Sequence, residues 1–314
     1  MTMRGVRAGA TIVMTAGLMA TSLGAQTAPT GQDQPPPVFR ASADVVSVDA
    51  AVQRDRRPVI GLKPADFEIL DNGVPQEISD VSYERLPIDV TLLLDVSASV
   101  TGSTLEELGR ALRQVRADLL PADRLRLLIF NMSVRRLVDF SQPSSNIDQA
   151  LASVRGAGSS AVFDSLAVAL SSFEAPGRRR LVVLFSDGQD SSSISDVDTL
   201  LEVARRSAPT VAVILGSPNP ERPASVLRTS SSVPSPSVGA LSDRLALETG
   251  GIVAPLKPGE NLTSKFRRML QEFRSSYVLY FTPRGVERGG AHTLEVRVKR
   301  PGVDVRARRG YVWR

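Results

Sequence analysis

The segment Ile88-Asp89-Val90-Thr91-Leu92-Leu93-Leu94-Asp95-Val96-Ser97-Ala98-Ser99 decides the fold of this chain of 314 residues. Its first part, which is largely apolar through Leu94, is typical of a strand that is buried on both faces of a parallel sheet. Further short apolar runs follow at residues 125–130, 181–185, 211–215 and 252–256. Together these runs predict a central sheet that is covered on both sides.

Helical patterns separate these runs. After the first run, Leu105, Leu108, Leu112, Val115 and Leu119 recur at spacings of three and four residues, which is the helical period. Similar patterns predict helices over residues 147–154, 162–173, 197–204, 241–248 and 262–273, and residues 134–140 predict an edge strand. Strands that alternate with helices indicate an α/β fold with a doubly wound, mostly parallel sheet. Ligands of such sheets bind outside the carboxyl ends of the strands.

Both flanks of this region have strand patterns instead. Before it, strands are predicted near residues 45–53, 67–70 and 76–83; after it, they are predicted near residues 277–281, 293–298, 303–306 and 311–313. Neither flank has enough apolar residues for a core of its own. We therefore expect residues 39–87 and 276–314 to pair into a small β-sandwich-like unit beside a domain formed by residues 88–275.

The N-terminus has the pattern of a secretory signal. Arg4 and Arg7 precede an apolar stretch over residues 8–23, and the small residues Ser22 and Gly24 stand where a signal peptidase reads. Residues 1–25 are therefore a predicted signal peptide, with an uncleaved anchor as the alternative. Residues 26–38 are a predicted proline-rich linker. The mature protein is expected to be extracytoplasmic, either periplasmic or secreted, without a membrane span.

Composition excludes several classes of function. The chain has no cysteine, which removes disulfides, thiol catalysis and thiolate metal sites. Its one histidine, His292, cannot supply a zinc ligand set and is expected on the surface. The net charge of +5 comes from arginines scattered among acids, so nucleic acid is not an expected partner. No pattern indicates an oligomeric state.

Oxygen-bearing side chains are grouped at the predicted carboxyl edge of the sheet. Asp95, Ser97 and Ser99 alternate as the chain leaves the first strand, so their side chains can converge. Ser160 follows the glycine-rich segment 156–158, and Asp187 ends the third buried run. Hard divalent cations prefer such oxygen ligands. The alternative is that Asp95 and the serines only cap the following helix.

The spacing of these residues resembles the metal ion-dependent adhesion site of the von Willebrand factor type A domain. That family has an aspartate and two serines at alternate positions, then a distant threonine, then a distant aspartate that is commonly followed by glycine. Asp95, Ser97, Ser99 and Asp187 match, while Ser160 stands where threonine is usual. The resemblance implies Mg²⁺ (or Mn²⁺) bound directly by the serine hydroxyls and through water by the two aspartates.

The flanks resemble a narrower group of secreted bacterial proteins, prominent in acidobacteria and described as von Willebrand factor A-related. The cues are the segments 58–62, 66–68 and 71–73 before the domain and the closing segment 306–311. This second resemblance implies an extracytoplasmic location and a β unit around the domain. It implies no defined activity.

The expected function is non-enzymatic, metal-dependent binding of a protein or another ligand that presents an acidic group. One alternative is a structural envelope or matrix protein whose metal site only stabilises the fold. A metal-assisted hydrolase is the other, although the chain lacks Gly-x-Ser-x-Gly and its one histidine is far from the serines.

Asp164 is expected to contact nearby backbone, and the segment 217–239, rich in serine and proline, is expected to be a mobile loop.

Overall fold

The computed structural model describes residues 45–83, 86–98, 100, 102–141, 147–171, 177–216, 238–257 and 259–313. The predicted signal peptide and linker, Ser99, and residues 217–237 of the predicted loop lie outside these ranges. All described residues belong to one compact unit. No helix within them is long and apolar enough to cross a membrane.

Strands and helices follow one another along the described ranges. The strands are β1 (Val46–Arg54), β2 (Arg57–Pro58), β3 (Phe67–Asp71), β4 (Val74–Gln76), β5 (Ile78–Tyr83), β6 (Ile88–Asp95), β7 (Arg124–Phe130), β8 (Val134–Val138), β9 (Arg179–Ser186), β10 (Thr210–Leu215), β11 (Val253–Pro255), β12 (Tyr277–Phe281), β13 (Ala291–Val298), β14 (Asp304–Ala307) and β15 (Gly310–Val312). The helices are α1 (Ser103–Asp118), α2 (Ile147–Ala152), α3 (Val162–Leu170), α4 (Val197–Arg206), α5 (Val238–Thr249) and α6 (Leu262–Arg274), with a 3₁₀ turn at Pro64–Asp66.

A six-stranded sheet forms the centre of the α/β region. Its order is β11-β10-β9-β6-β7-β8, and every neighbouring pair is parallel except β7 with β8. Apolar side chains of α1, α2 and α6 cover one face, and those of α3, α4 and α5 cover the other. The prediction of a doubly wound, mostly parallel sheet is therefore confirmed. Residues 134–138 form its antiparallel edge strand, also as predicted.

The central strand β6 is buried along its whole length. It lies between β9 and β7, in a register that sets Leu94 beside Phe185 on one side and Ile129 on the other. Its first carboxylate, Asp89, is buried and accepts hydrogen bonds from Arg124 Nε (2.8 Å) and Arg178 Nε (2.6 Å). The two guanidinium groups supply the charge that a buried carboxylate needs.

The flanking strands form two further sheets that combine both ends of the chain. In one sheet, β1 of the N-terminal flank pairs with β12 and β14 of the C-terminal flank, and β12 also pairs with β5. In the other, β13 pairs with β3 and β15. Apolar residues of both sheets share one core that includes Val48, Ile69, Leu279 and Phe281. The expected β-sandwich-like unit built from both flanks is thus part of the fold, while the exact domain boundaries remain a prediction.

His292 is buried, so the prediction that it lies on the surface is wrong. Only 3% of its surface is exposed, because the alternation of β13 points it inward together with Leu294. Its Nδ1 lies 2.8 Å from Asp71 Oδ1, and the Tyr311 hydroxyl donates to Asp71 Oδ2 at 2.6 Å. The histidine is a member of a polar network inside the β unit.

Arg179 joins the β unit to the α/β region. It stands at the start of β9, is buried, and forms an ion pair with Asp49 of β1 at 2.7 Å. Its Nη2 also donates to the carbonyl of Phe273 at 2.7 Å, and its guanidinium lies 4.1 Å from the centre of the Phe273 ring. One side chain therefore connects the central sheet, the end of α6 and the first strand of the β unit.

The ion pairs of Asp89 with Arg124 and Arg178 predict that the stability of the fold depends on pH. Burial alone would raise the pKa of Asp89, but hydrogen bonds and charge from Arg124 and Arg178 lower the pKa below its ordinary value. A carboxyl group with a lower pKa in the folded state stabilises the fold above its unfolded pKa of about 4, and this contribution disappears as the pH falls through the folded pKa. We expect Asp89→Asn to reduce the free energy of unfolding by about 2 kcal/mol at pH 7.

Denaturant titrations of wild type and variant at pH 7, 5 and 3 would measure this difference. The gap between the two proteins should narrow toward the acid end of the range. Asp198→Asn is the matched control, because the Asp198–Arg244 pair is exposed and should contribute less than about 1 kcal/mol. An Asp89→Asn variant with wild-type stability at pH 7 would contradict the expectation.

Candidate metal centre

The carboxyl ends of two neighbouring parallel strands form the base of the candidate site. β6 ends at Asp95 and β9 ends at Ser186, and the register between them places Leu94 beside Phe185. Asp95 and Ser186 are therefore the next residues along two adjacent strands. Both side chains are buried.

Asp95 is the residue on which the other side chains converge. Its Oδ1 accepts the backbone N–H of Ser97 at 2.9 Å. Its Oδ2 accepts the hydroxyl of Ser160 at 2.9 Å and the hydroxyl of Ser186 at 2.9 Å. Three separated segments of the chain thus meet at one buried carboxylate.

The electrostatic environment of Asp95 disfavours its negative charge. Burial raises the pKa of Asp95, hydrogen bonds from Ser97 and Ser160 lower it, and the nearby negative charge of Asp187 raises it again, so that the result is a pKa above the ordinary value. Hydroxyl and backbone donors provide no full positive charge. A cation at this position would supply what the donors lack.

Four of the five predicted ligand residues lie within the described ranges. Asp95, Ser97 and Ser160 are buried and share hydrogen bonds, and Asp187 is half-buried and close enough to Asp95 to affect its pKa. Asp187 Oδ1 also accepts the backbone N–H of Gln189 at 3.2 Å. Ser99 lies outside the described residues. The assignment of these side chains as metal ligands remains a prediction.

Ser186 is a residue that the sequence reasoning missed. It directly precedes Asp187, and its hydroxyl approaches the same oxygen of Asp95 as Ser160 does. A signal was present, because residues at the ends of adjacent parallel strands lie side by side. The contact depends on β9 lying directly next to β6, and only the strand order of the folded sheet shows this.

The glycine-rich segment packs tightly against the loop that carries Ser97. The Ala157 N–H donates to the Val96 carbonyl at 3.0 Å, and the Ala98 N–H donates to the Gly158 carbonyl at 3.0 Å. A Cβ on Gly156 would lie 2.1 Å from the carbonyl oxygen of Val100. Glycine at this position therefore permits the close approach of the two backbone segments. Gly158 and Gly188 instead have positive φ angles of 78° and 85°, which favour glycine for conformational reasons.

Two further acids hold the neighbouring loops. Asp164 accepts the backbone N–H groups of Ile194 and Ser195, both at 2.9 Å, which confirms the expectation that it contacts backbone. Asp190 Oδ2 accepts the backbone N–H of Phe163 at 3.0 Å. These carboxylates fix the loop after β9 against the start of α3. They therefore position the segment around Ser160.

The chemistry of the donor set fits a hard cation. All the candidate ligands are oxygens of hydroxyl groups or carboxylates, which suit Mg²⁺ and Mn²⁺ better than soft metals. Within the described ranges, no group of three or more His, Cys, Asp or Glu side chains is arranged to hold a metal ion. A site at Asp95 would therefore depend on hydroxyls and on waters held by two carboxylates.

Comparison with known proteins identifies the domain. Residues 89–239 match the family model of the von Willebrand factor type A domain, and this part of the chain belongs to that family. Domains of this type are typically binding or adhesion modules. In the structure the sheet continues past residue 239, because β11 pairs with β10. The narrower acidobacterial group remains a prediction from the flanking residues.

Solved structures share the fold at low sequence identity. A von Willebrand factor type A protein from Catenulispora acidiphila is 12% identical and matches with a TM-score of 0.50 over 88% of this chain and 75% of that one. An aerotolerance-related membrane protein from Bacteroides fragilis is 17% identical, with a TM-score of 0.45 over 59% of this chain and 98% of that one.

A third neighbour is proximal thread matrix protein 1 from the mussel byssus, described with a zinc-occupied MIDAS motif. It is 11% identical, with a TM-score of 0.47 over 63% of this chain and 48% of that one. Among curated proteins no match was found. At 12% identity, the likeness to the Catenulispora acidiphila protein concerns the fold alone.

The tight packing at Gly156 yields a test of the loop arrangement. We expect Gly156→Ala to reduce the free energy of unfolding by about 2 kcal/mol, because both the Val100 and Ser97 carbonyls next to the new methyl group are backbone atoms that cannot rotate away. Thermal and denaturant unfolding would measure the loss. Gly109→Ala is the control: in α1 a Cβ there meets nothing closer than 3.7 Å, so it should stabilise the helix by up to about 1 kcal/mol. Equal effects of the two substitutions would contradict the expected crowding.

Proposed function

We propose that this protein is an extracytoplasmic, non-enzymatic binding module that engages its ligand through a divalent cation at Asp95. The observation that carries the proposal is the buried Asp95 carboxylate at the end of β6, which receives the hydroxyls of Ser160 and Ser186 and lies near Asp187. A buried carboxylate of purely structural role is usually neutralised by a cationic side chain. Asp89, at the other end of the same strand, is neutralised in that way.

The side chains of the site are suited to hold Mg²⁺ or Mn²⁺. Ser97, Ser99 and Ser160 would bind the ion through hydroxyl oxygens, and Asp95 and Asp187 would hold its waters. A serine that donates its proton to Asp95 keeps two lone pairs, so Ser160 can accept a metal and donate to the carboxylate at the same time. When bound, the ion offers a coordination position to an acidic group of the ligand.

The lack of a histidine or cysteine at the candidate site supports binding rather than acyl-transfer catalysis. The chain has no cysteine and only one histidine. That histidine, His292, is buried in the β unit and contacts Asp71 there rather than any serine of the candidate site. No nucleophile–histidine pair of the kind used in acyl transfer is therefore available to these serines.

The proposed location outside the cytoplasm is supported by the N-terminal sequence. Arg4 and Arg7 followed by the apolar residues 8–23 have the arrangement of a cleaved signal. The proposed ligand is a protein or another molecule that presents a carboxylate, met in the periplasm or outside the cell.

Calorimetric titration of Mg²⁺ into the full chain tests the metal site. Wild type should release or absorb heat on binding, whereas Asp95→Ala and Asp187→Asn should bind at least tenfold more weakly. Asp198→Ala is the matched control, since it removes an equally negative but exposed carboxylate of α4. Circular dichroism would verify that each variant is folded. Equal heats from wild type and Asp95→Ala would remove the proposal.

A Mn²⁺ experiment separates a binding role from a stabilising one. Electron paramagnetic resonance can count bound Mn²⁺, and thermal unfolding measures how far the ion stabilises the fold. A ligand-binding site should leave Mn²⁺ accessible to a small carboxylate such as acetate, which would change the spectrum. Strong thermal stabilisation with a spectrum that acetate does not alter would favour a structural role.

A further inference from the structure

A groove of about 610 Å³ runs beside the candidate metal centre, between the edge strand β8 and helix α3. This volume lies within the range of ligand-binding clefts, roughly 300–1,000 Å³. Its floor includes Leu128 of β7, one wall is formed by Val134 and Arg136, and the other wall by Ser165 and Val168. No part of the proposed metal site uses these residues.

The groove lies next to the candidate site. Ala161, which lines the groove, directly follows Ser160 in the chain. Met132, which also lines it, has its sulfur 3.8 Å from where a Cβ on Gly158 would lie. A ligand that reaches the metal would therefore have the groove as the adjoining surface.

Exposed apolar side chains surround this region. Met132 is 68% exposed and Val168 is 50% exposed, and both line the groove. Ile194 is 96% exposed, and its backbone N–H donates a hydrogen bond to the groove residue Asp164. These are three of the seven large apolar side chains that are exposed among the described residues. Val168 lies on α3 and the other two lie in loops next to it, so the exposed apolar side chains are grouped around this helix, as is common at interaction surfaces.

The edge strand beside the groove is basic. Within the described residues, β8 is the last strand of its sheet, so no strand pairs with its outer edge. Its residues Arg135 and Arg136 are exposed, and the strand contains no acidic residue. Arg136 forms an ion pair with Asp139 through one nitrogen at 3.1 Å, and its side chain is 61% exposed. Its guanidinium therefore has further N–H donors for a partner's carboxylate.

We propose that an extended peptide segment of the ligand, with apolar and acidic residues in alternation, lies along β8 and fills this groove. The proposal rests on the proposed metal-dependent function and extends it to the surface that recognises the ligand. An added strand would pair with the outer edge of β8, place apolar side chains against Val134 and Val168, and offer a carboxylate to Arg136. Addition of a second copy through β8 is disfavoured, because arginines would then face arginines.

Phage display tests the proposal. The full chain with Mg²⁺ serves as the target, and the library presents random peptides of roughly 12 residues, a length that exceeds a typical strand. Enriched peptides should combine apolar and acidic residues. Their affinity, measured by fluorescence polarisation, should fall at least tenfold in Val168→Glu and in Arg136→Glu. Leu120→Glu is the matched control, because Leu120 is similarly exposed but lies outside the groove.

Four results would each overturn the groove proposal: no enrichment of any peptide, enriched peptides without acidic residues, affinities unchanged in both groove variants, or dimers of the free protein in sedimentation that Val168→Glu dissociates. Repeating the binding measurements with a chelator distinguishes failure of the groove proposal from failure of the proposed metal site. Peptides that are released by chelator but ignore the groove variants would leave the metal-dependent function standing. Peptides that depend on the groove and ignore chelator would support the groove and contradict the metal-dependent function.

Discussion

Burial of β6 on both faces is the constraint on which the rest of the α/β region depends. A strand without access to water must find partners for every polar group inside the protein. Its two carboxylates are satisfied in different ways. Asp89 is paired with two arginines, whereas Asp95, among the described residues, receives only hydroxyl and backbone N–H donors. The two ends of one strand thus have different chemistry, and only the carboxyl end is arranged in a way that suits a cation.

The loops around Asp95 are held by contacts that leave little freedom. The segment at Gly156 is in backbone contact with the loop that follows β6, and Asp164 and Asp190 hold the loop that follows β9 against the start of α3. At the opposite end of β9, Arg179 connects the end of α6 to the β unit through Asp49. The flanking sheets are therefore attached to the region that carries the site, and they contribute structure rather than ligand residues.

Local patterns were enough for much of this architecture. The apolar runs and helical spacings predicted the central sheet, and the motif at Asp95 predicted that oxygen-bearing side chains of separate segments would meet there. Predictions were wrong or incomplete where a contact joined distant parts of the chain. His292 was placed on the surface, yet pairing of β13 with β3 and β15 encloses it beside Asp71 and Tyr311. Ser186 was overlooked because its role depends on β9 lying next to β6.

The sequence by itself determined the period of each element, the burial of β6 and the alternation of oxygen-bearing side chains after it, since these are properties of residues a few positions apart. Tertiary structure alone decided which hydroxyls reach Asp95, why Gly156 has no room for a side chain, and that an open groove adjoins the site. Those features depend on strand order and on the packing of segments that are far apart in the chain. Such contacts have no local period from which they could be read.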